Sequence, residues 1–430
     1  MSTEVNVHHV TRVEGHGNIS LKADNGEVQE VQWQVPEAPR FFEGMVRGRN
    51  FMDIQTIVSR ICGICSCTHS LSALKAIEDA MDISVSEQTE KLRLLLLHGE
   101  MIESHVLHLG YLVAPDLVQE KSVVPVAEDQ PDLVKTIVRC HKLGNDMMEL
   151  IGGRMTHPVS VRPGGFGTLP SEDELRDLKE QIEARMPDFK TVANAVHDLA
   201  GELPDFQRDT EYVGLTDAGY YTYYHGDIGS TDTDELRPVQ EFESVANEYV
   251  NSQSTAKWTK WHRDAYAVGS LARYNLNHEH MLPLAEKVAD SFGLKPGCCN
   301  PFLNNVAQLV EIFQSVEHSL QLIDELLEDG IEQESPDPTP SAGRGVGCCE
   351  APRGILFHSY EFDEDGTCTG ANLCIPTNQN HANIQKDFEA FAPKIIDRDE
   401  DEVRQLLEML VRSYDPCISC STHYLDVEFV

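Results

Sequence analysis

The sequence predicts a mainly helical α+β chain, with a core bundle of long helices and small β-sheets at its periphery. Three observations carry this reading. Apolar residues recur at i, i+3, i+4 spacing through most of residues 50–330. Alternating apolar and polar residues mark strands near both ends. The links between helical stretches are short, which favours antiparallel packing.

Taken in order, residues 5–35 read as strands. Alternation in Gly17-Asn18-Ile19-Ser20-Leu21 and Val28-Gln29-Glu30-Val31-Gln32-Trp33 flanks the hairpin turn Asp24-Asn25-Gly26. Helices are predicted over 51–60, 68–81, 87–113, 131–151 and 172–200. Ser86 precedes the third of these, and Ser171 opens Ser-Glu-Asp-Glu, a capping-box pattern, before the fifth. Residues 209–235, rich in Gly, Asp and Tyr, read as strand and loop. Helices are then predicted at 238–253, 256–290 and 302–329. The proline-rich stretch 330–342 reads as a loop. Strands follow at 354–362 and 367–375 across Asp363-Glu364-Asp365-Gly366, then helices at 381–392 and 399–413. The expected organisation is one domain over 1–423, with a strand-rich start at 5–35, a helical core at 50–330 and a closing segment at 343–423. A short extension, 424–430, follows it.

Composition narrows the function. Lys and Arg number 34 against 71 Asp and Glu, a formal net charge of −37. Such a surface repels phosphates, which argues against nucleic acid and against an anionic membrane. Hydrophobic residues make up 41%, enough for a core, so wholesale disorder is excluded. No apolar run reaches the roughly 18 residues of a spanning helix, and residues 1–10 lack a signal-peptide pattern. A cytoplasmic protein with no direct membrane insertion is expected. Twelve cysteines in 430 residues are too sparse for a disulfide scaffold, which leaves metal ligation or redox chemistry to test.

Two cysteine pairs stand out: Cys62-Gly63-Ile64-Cys65, with His69 after it, and Cys417-Ile418-Ser419-Cys420, with His423 after it. C-x-x-C turns two thiolates to one side, and two such turns supply four sulfurs to one centre. A dithiol redox pair lacks the βαβ surroundings it needs. Chance burial of small thiols is the bland alternative. Spacing alone favours a metal, with zinc ahead of redox metals. Gly343-Arg344-Gly345-Val346-Gly347 is glycine-rich but lacks the strand–turn–helix setting and third glycine of a dinucleotide loop. The other cysteines read as buried thiols.

The flanking residues add a family resemblance. Thr11-Arg12-Val13-Glu14-Gly15-His16-Gly17, Arg60-Ile61-Cys62-Gly63-Ile64-Cys65, Glu350-Ala351-Pro352-Arg353-Gly354 and Asp415-Pro416-Cys417-Ile418-Ser419-Cys420-Ser421-Thr422-His423 resemble, in order, the large catalytic subunit of nickel–iron hydrogenases. Val113-Ala114-Pro115-Asp116 and Ile151-Gly152-Gly153-Arg154 are similar to its cytoplasmic multimeric branch, which couples to heterodisulfide reductase, the deazaflavin F420 or NAD(P). The resemblance implies that large-subunit fold, cleavage or formation of H2, and a Ni-Fe centre whose iron carries CO and cyanide. By the same resemblance Cys62 and Cys417 are terminal nickel ligands, and Cys65 and Cys420 bridge nickel to iron. Glu14 would take the proton from Cys417. Arg353 would hang over the open coordination position, held by Asp116 and Asp415, with Thr377 donating to a cyanide. His69 would donate to a sulfur. His423 and Glu43, with a carbonyl near Leu373 to Ile375, would hold a separate Mg²⁺ or Fe²⁺. Implied partners are an iron–sulfur small subunit, further electron-transfer subunits, and a maturation protease that cuts after His423 and removes 424–430. Two other readings compete: a zinc-stabilised structural protein, and a non-catalytic core subunit of the quinone-oxidoreductase type.

Overall fold

In the computed structural model, which describes residues 2–334 and 336–423, the N-terminal alternation builds an antiparallel sheet of β1 (Ser2–Val7), β2 (Asn18–Asp24) and β3 (Glu27–Gln34). Asn25 and Gly26 both take positive φ between β2 and β3, as a two-residue hairpin turn requires. Leu21, Val31 and Trp33 are buried in one cluster with Ile384 and Phe388. The Trp33 indole N–H donates to His381 Nδ1 at 2.9 Å, pinning the sheet to a C-terminal helix.

Helices follow as α1 (Phe42–Val46), α2 (Phe51–Val58), α3 (Ser66–Met81), α4 (Glu87–Leu107), α5 (Pro131–Gly152), α6 (Glu172–Leu199) and α7 (Asn304–Asp329), with shorter pieces between them. The Ser86 hydroxyl caps α4 by accepting from Thr89 N–H, and Ser171 and Glu174 form a capping box on α6. Leu95, Leu96 and Ile102 of α4 pack with Leu143 and Met147 of α5, Ile182 of α6 and Phe313 of α7. At the α4–α5 crossing, a Cβ on Gly144 would lie 2.5 Å from the Glu103 nitrogen, so glycine lets the two backbones touch. The predicted helix 87–113 changes winding at His108, where a π-helix runs to Val113.

One predicted helix is not formed and another is formed only in its second half. Within 238–253 there are only a 3-10 turn at Val239–Glu241 and a turn of helix at Phe242–Val245, then a strand at Asn247–Tyr249. Within 256–290 the chain starts as strands Trp258–Lys260 and Tyr266–Ala267 before helices Ser270–Asn277 and Pro283–Ser291. Trp258–Lys260 pairs with Asn247–Tyr249, and Tyr266–Ala267 pairs with Glu211–Thr216. Spaced aromatics mimic a helical stripe, but Trp258 and Tyr266 bury themselves through strand pairing.

The C-terminal part adds an antiparallel sheet of β4 (Gly343–Ala351), β5 (Gly354–Phe362) and β6 (Cys368–Cys374), then α8 (Pro376–Ile395) and α9 (Glu400–Ser413). The glycine-rich stretch is therefore a strand. Cβ atoms on Gly343, Gly345 and Gly347 would lie 2.3, 2.1 and 1.9 Å from the carbonyl oxygens of Ala80, Ala76 and Ser72. The three glycines let α3 lie directly on β4. Ala351 pairs with Gly354, which leaves Pro352 and Arg353 at the tip of the β4–β5 hairpin. No described helix is long and apolar enough to cross a membrane.

Candidate metal centre

Each cysteine pair sits where the chain turns into a helix. Cys62 follows the short helix Ser59–Ile61, and Cys65 is the residue before α3. Cys417 precedes the turn of helix Ile418–Ser421, which contains Cys420. Asp415, two residues earlier, is held at φ 49°, a region that non-glycine residues seldom enter without surrounding support. The four sulfurs lie within 4.8 Å of one another, all buried. Cys62 Sγ is 3.4 Å from Cys417 Sγ, and Cys65 Sγ is 3.7 Å from Cys420 Sγ.

So many thiols at this spacing cannot all ionise. Hydrogen bonds from Cys417, Cys420 and Cys65 draw the Cys62 thiol well below its ordinary range. Cys65 also meets Cys417 and Cys420, yet Cys62 and burial push it up to about 11. The bond to Cys420 pushes Cys417 up, and burial pushes Cys420 up. The four thiols are thus held unevenly, with Cys62 the most easily ionised. A soft cation would stabilise four thiolates together, so the donor set fits a thiolate-bound metal.

The surrounding groups come from distant parts of the chain. The Cys417 thiol donates to Glu14 Oε2 at 3.1 Å, and Ser419 N–H donates to the same oxygen at 3.0 Å. Arg353 reaches in from its hairpin tip. Its Nε donates to the Asp415 carbonyl and a terminal nitrogen to Asp415 Oδ1, both at 2.9 Å. Its other terminal nitrogen donates to Ser104 of α4 at 3.0 Å. Thr377 Oγ1 accepts the Cys417 N–H at 3.0 Å.

Two expectations need correction. Asp116 does not hold Arg353: it pairs with Arg412 Nε at 2.6 Å and with Arg12. Arg412 also donates to the Thr11 carbonyl, so this trio ties α9 to the strip that carries Glu14. His69 makes no hydrogen bond to a sulfur among the described residues. Its Nδ1 faces His358 Nε2 at 3.0 Å. Arg412, Ser104 and His358 were missed by sequence reading because none lies in a recognisable motif. Arg12 stood inside one, with nothing to reveal its role.

A second set of donors lies nearby. His423 Nδ1 is 3.0 Å from the Cys420 carbonyl and Nε2 is 2.7 Å from the Leu373 carbonyl. Glu43 Oε1 is 3.6 Å from Nε2 and accepts the Leu373 N–H at 2.9 Å. Burial alone would raise the Glu43 carboxyl, but His423 and Lys257 bring it below its usual value. Both ring nitrogens of His423 face carbonyl oxygens. A neutral imidazole donates to only one, so the other contact needs a second proton or a cation. A carboxylate, a carbonyl and an imidazole fit a hard cation.

This geometry accommodates zinc as readily as nickel, and comparison with known proteins decides between them. The family model described as nickel-dependent hydrogenase matches residues 40–139 and 209–423. The chain belongs to the nickel-dependent hydrogenase family. A second model, described as HoxL-like, matches residues 4–38. The alpha subunit of sulfhydrogenase 2 of Pyrococcus furiosus is 34% identical, over 96% of this chain and 98% of that one. A vhu subunit of the F420-non-reducing hydrogenase of Methanocaldococcus jannaschii is 31% identical, over 90% and 98%. Among solved structures, an NAD⁺-reducing [NiFe]-hydrogenase in the H2-reduced state superposes with a TM-score of 0.88 at 26% identity, covering 98% and 99%. The Ni-Fe-Se hydrogenase of D. vulgaris Hildenborough shares the fold at a TM-score of 0.77 and 21% identity, covering 98% and 100%. The chain is thus the hydrogen-activating large subunit of a nickel–iron hydrogenase, and the zinc-structural and non-catalytic readings are not favoured.

Proposed function

We propose that Cys62 and Cys417 are terminal ligands of the nickel, and that Cys65 and Cys420 bridge it to an iron carrying CO and cyanide. Support comes from the convergence of all four sulfurs, with Cys417 and Cys420 2.7 Å apart and each motif also meeting the other; the split into terminal and bridging ligands follows the family resemblance. When bound, the metal pair supplies the redox chemistry for heterolytic cleavage or formation of H2. The chain's own residues then manage protons and orientation. Glu14 accepts a proton from Cys417 Sγ through the direct 3.1 Å contact, which is the observation that carries this reading. The Ser419 N–H keeps that carboxylate aimed at the sulfur. Arg353, fixed by Asp415 and Ser104, holds a permanent positive charge beside the thiolates. Thr377 fixes the Cys417 backbone, and its hydroxyl hydrogen is available to a cyanide.

Glu43, His423 and the Leu373 carbonyl hold Mg²⁺ or Fe²⁺ in the same proposal. Electrons leave through an iron–sulfur small subunit, because among the described residues the four cysteines are the only metal-binding group of three or more Cys, His, Asp or Glu. Coupling onward to heterodisulfide reductase, F420 or NAD(P), and a cytoplasmic location, belong to the same proposal; the NAD⁺-reducing neighbour supports the NAD(P) arm, whereas the F420-non-reducing relative does not support the F420 arm. Removal of 424–430 by a maturation protease concerns residues outside those described. Because His423 is buried, a cut just after it would let the end of the chain close over the centre. Metal analysis with infrared spectroscopy tests the reading. One nickel with one iron, or two irons if Fe²⁺ fills the Glu43–His423 site, and CO and cyanide bands are expected; zinc alone would overturn it. Intact mass of the active enzyme should end at His423, and an active, nickel-loaded chain ending at Val430 would exclude processing.

A further inference from the structure

Helix α3 begins on a residue that cannot cap it. A helix leaves its first N–H groups without carbonyl partners, and a Ser, Thr, Asp or Asn at the N-cap normally accepts from the second or third of them. Here the N-cap is Cys65, which makes no capping bond; its sulfur is turned into the four-sulfur cluster, 3.7 Å from Cys420 Sγ. The hydroxyl of Ser66, next in the chain, accepts the His157 N–H instead. The two orphan groups, Cys67 N–H and Thr68 N–H, are taken by a carboxyl from another helix. Glu100 of α4 is fully buried. Its Oε1 accepts from Cys67 N–H at 2.7 Å and from Thr68 N–H at 3.3 Å. Its Oε2 accepts from Thr68 N–H at 3.1 Å and also meets the Thr68 hydroxyl. One turn further along the same face of α4, Ser104 accepts from Arg353 at 3.0 Å.

We propose that Glu100 is a positioning residue, a cap supplied from α4 that fixes the turn carrying Cys65 and so sets its sulfur relative to Arg353. Among the described residues, each hydrogen bond that Glu100 makes goes to residue 67 or 68. An apolar side chain of the same length would fill the space at a lower desolvation cost, but would leave two buried N–H groups unpaired. Burial pushes the Glu100 carboxyl up to about 8. The cap does not depend on that equilibrium: a protonated carboxyl keeps lone pairs for the N–H groups and has a hydrogen to give the Thr68 oxygen. The N-cap thiol is thereby left to the cluster, and the helix start is held from outside. The same face of α4 anchors both the Cys65 turn and Arg353.

The cap is a property of the protein alone; only its consequence, the placing of a ligand sulfur, rests on the proposed reading of the cysteines. Hydrogen exchange on the full-length chain, resolved to single amides over residues 66–69, is compared in the unaltered protein, Glu100→Met and Glu100→Gln. Expected are slow Cys67 and Thr68 amides in the unaltered chain. Met is similar in length and accepts no strong hydrogen bond, so both amides should exchange about 10-fold faster or more. Gln keeps one oxygen where Oε1 meets both N–H groups, so it should restore most of the protection. In the metal-loaded enzyme, at matched metal content, Glu100→Met should move the infrared CO band and Glu100→Gln should leave it close to the parent. Fast exchange of these two amides in the unaltered chain overturns the proposal whether or not a variant folds. Parent-like exchange in a folded Glu100→Met chain, or an unmoved CO band in the loaded one, overturns it too. If the reading of the cysteines alone is wrong, the CO band is missing from every preparation while the amide pattern stands.

Discussion

Replacing Glu14 by Gln separates proton transfer from structure. Cys417 Sγ and Ser419 N–H both converge on Oε2 of Glu14, at 3.1 and 3.0 Å. A glutamine carbonyl oxygen fits that place, and among the described residues no donor faces the other oxygen, where the amide group would go. The fold should therefore lose no more than about 1 kcal/mol, within the range of a conservative polar change. The side chain no longer ionises, however, so the proton on Cys417 loses its acceptor. General acid–base groups contribute typically 10²–10⁴-fold, so turnover and H2/D2O exchange should fall by at least roughly 10²-fold. Exchange is measured by mass spectrometry on a preparation whose nickel and iron content matches the unaltered enzyme. Glu14→Asp retains the acid on a shorter stem and should fall between the two. Unaltered exchange in Glu14→Gln at full metal content would falsify the relay.

Other expectations follow from the same contacts. Cys65→Ser and Cys420→Ser should abolish assembly of the centre, since a hydroxyl is too hard and too weakly acidic to replace a bridging thiolate; retained nickel with full H2 uptake would remove these residues from the site. Arg353→Lys should lower activity on the order of 10²-fold, because an ammonium cannot reproduce the fork that grips Asp415 and Ser104; activity within a few-fold of the parent refutes a functional role. Gly347→Ala places a methyl 1.9 Å from the Ser72 carbonyl, so α3 must lift from β4 at a cost of about 1–3 kcal/mol or more, and an unchanged denaturation midpoint would contradict that packing. Burial brings His381 down to about 3, so the folded state binds fewer protons there than the unfolded chain. Its contribution is complete above about pH 6.5 and is lost progressively as pH falls toward 3, by a few kcal/mol in all; His381→Gln should flatten that part of the stability–pH curve, and an unaltered slope argues against it.

The sequence by itself determined the long helices, because strong periodicity over many turns, with Ser86 and Ser171 at the starts, leaves little freedom. It also pointed to the four cysteines, since a doubled C-x-x-C records a local geometry that repeats wherever the chain makes that turn. Three things needed the tertiary structure. Both Asp116 and Asp415 were expected to hold Arg353, and only Asp415 does: a carboxylate pairs with whichever cation packing brings near, and Arg412 and Arg12 reach Asp116 first. The strand Gly343–Ala351 was illegible because its glycines have no side-chain pattern of their own, and what they accommodate is the backbone of α3. The strands at 247–249, 258–260 and 266–267 look helical by spacing, and only partners elsewhere in the chain settle them as strands. Local order is written in neighbouring residues. A site assembled from residues 14, 62, 353 and 417 is decided by which elements can pack together, and spacing along the chain does not contain that information.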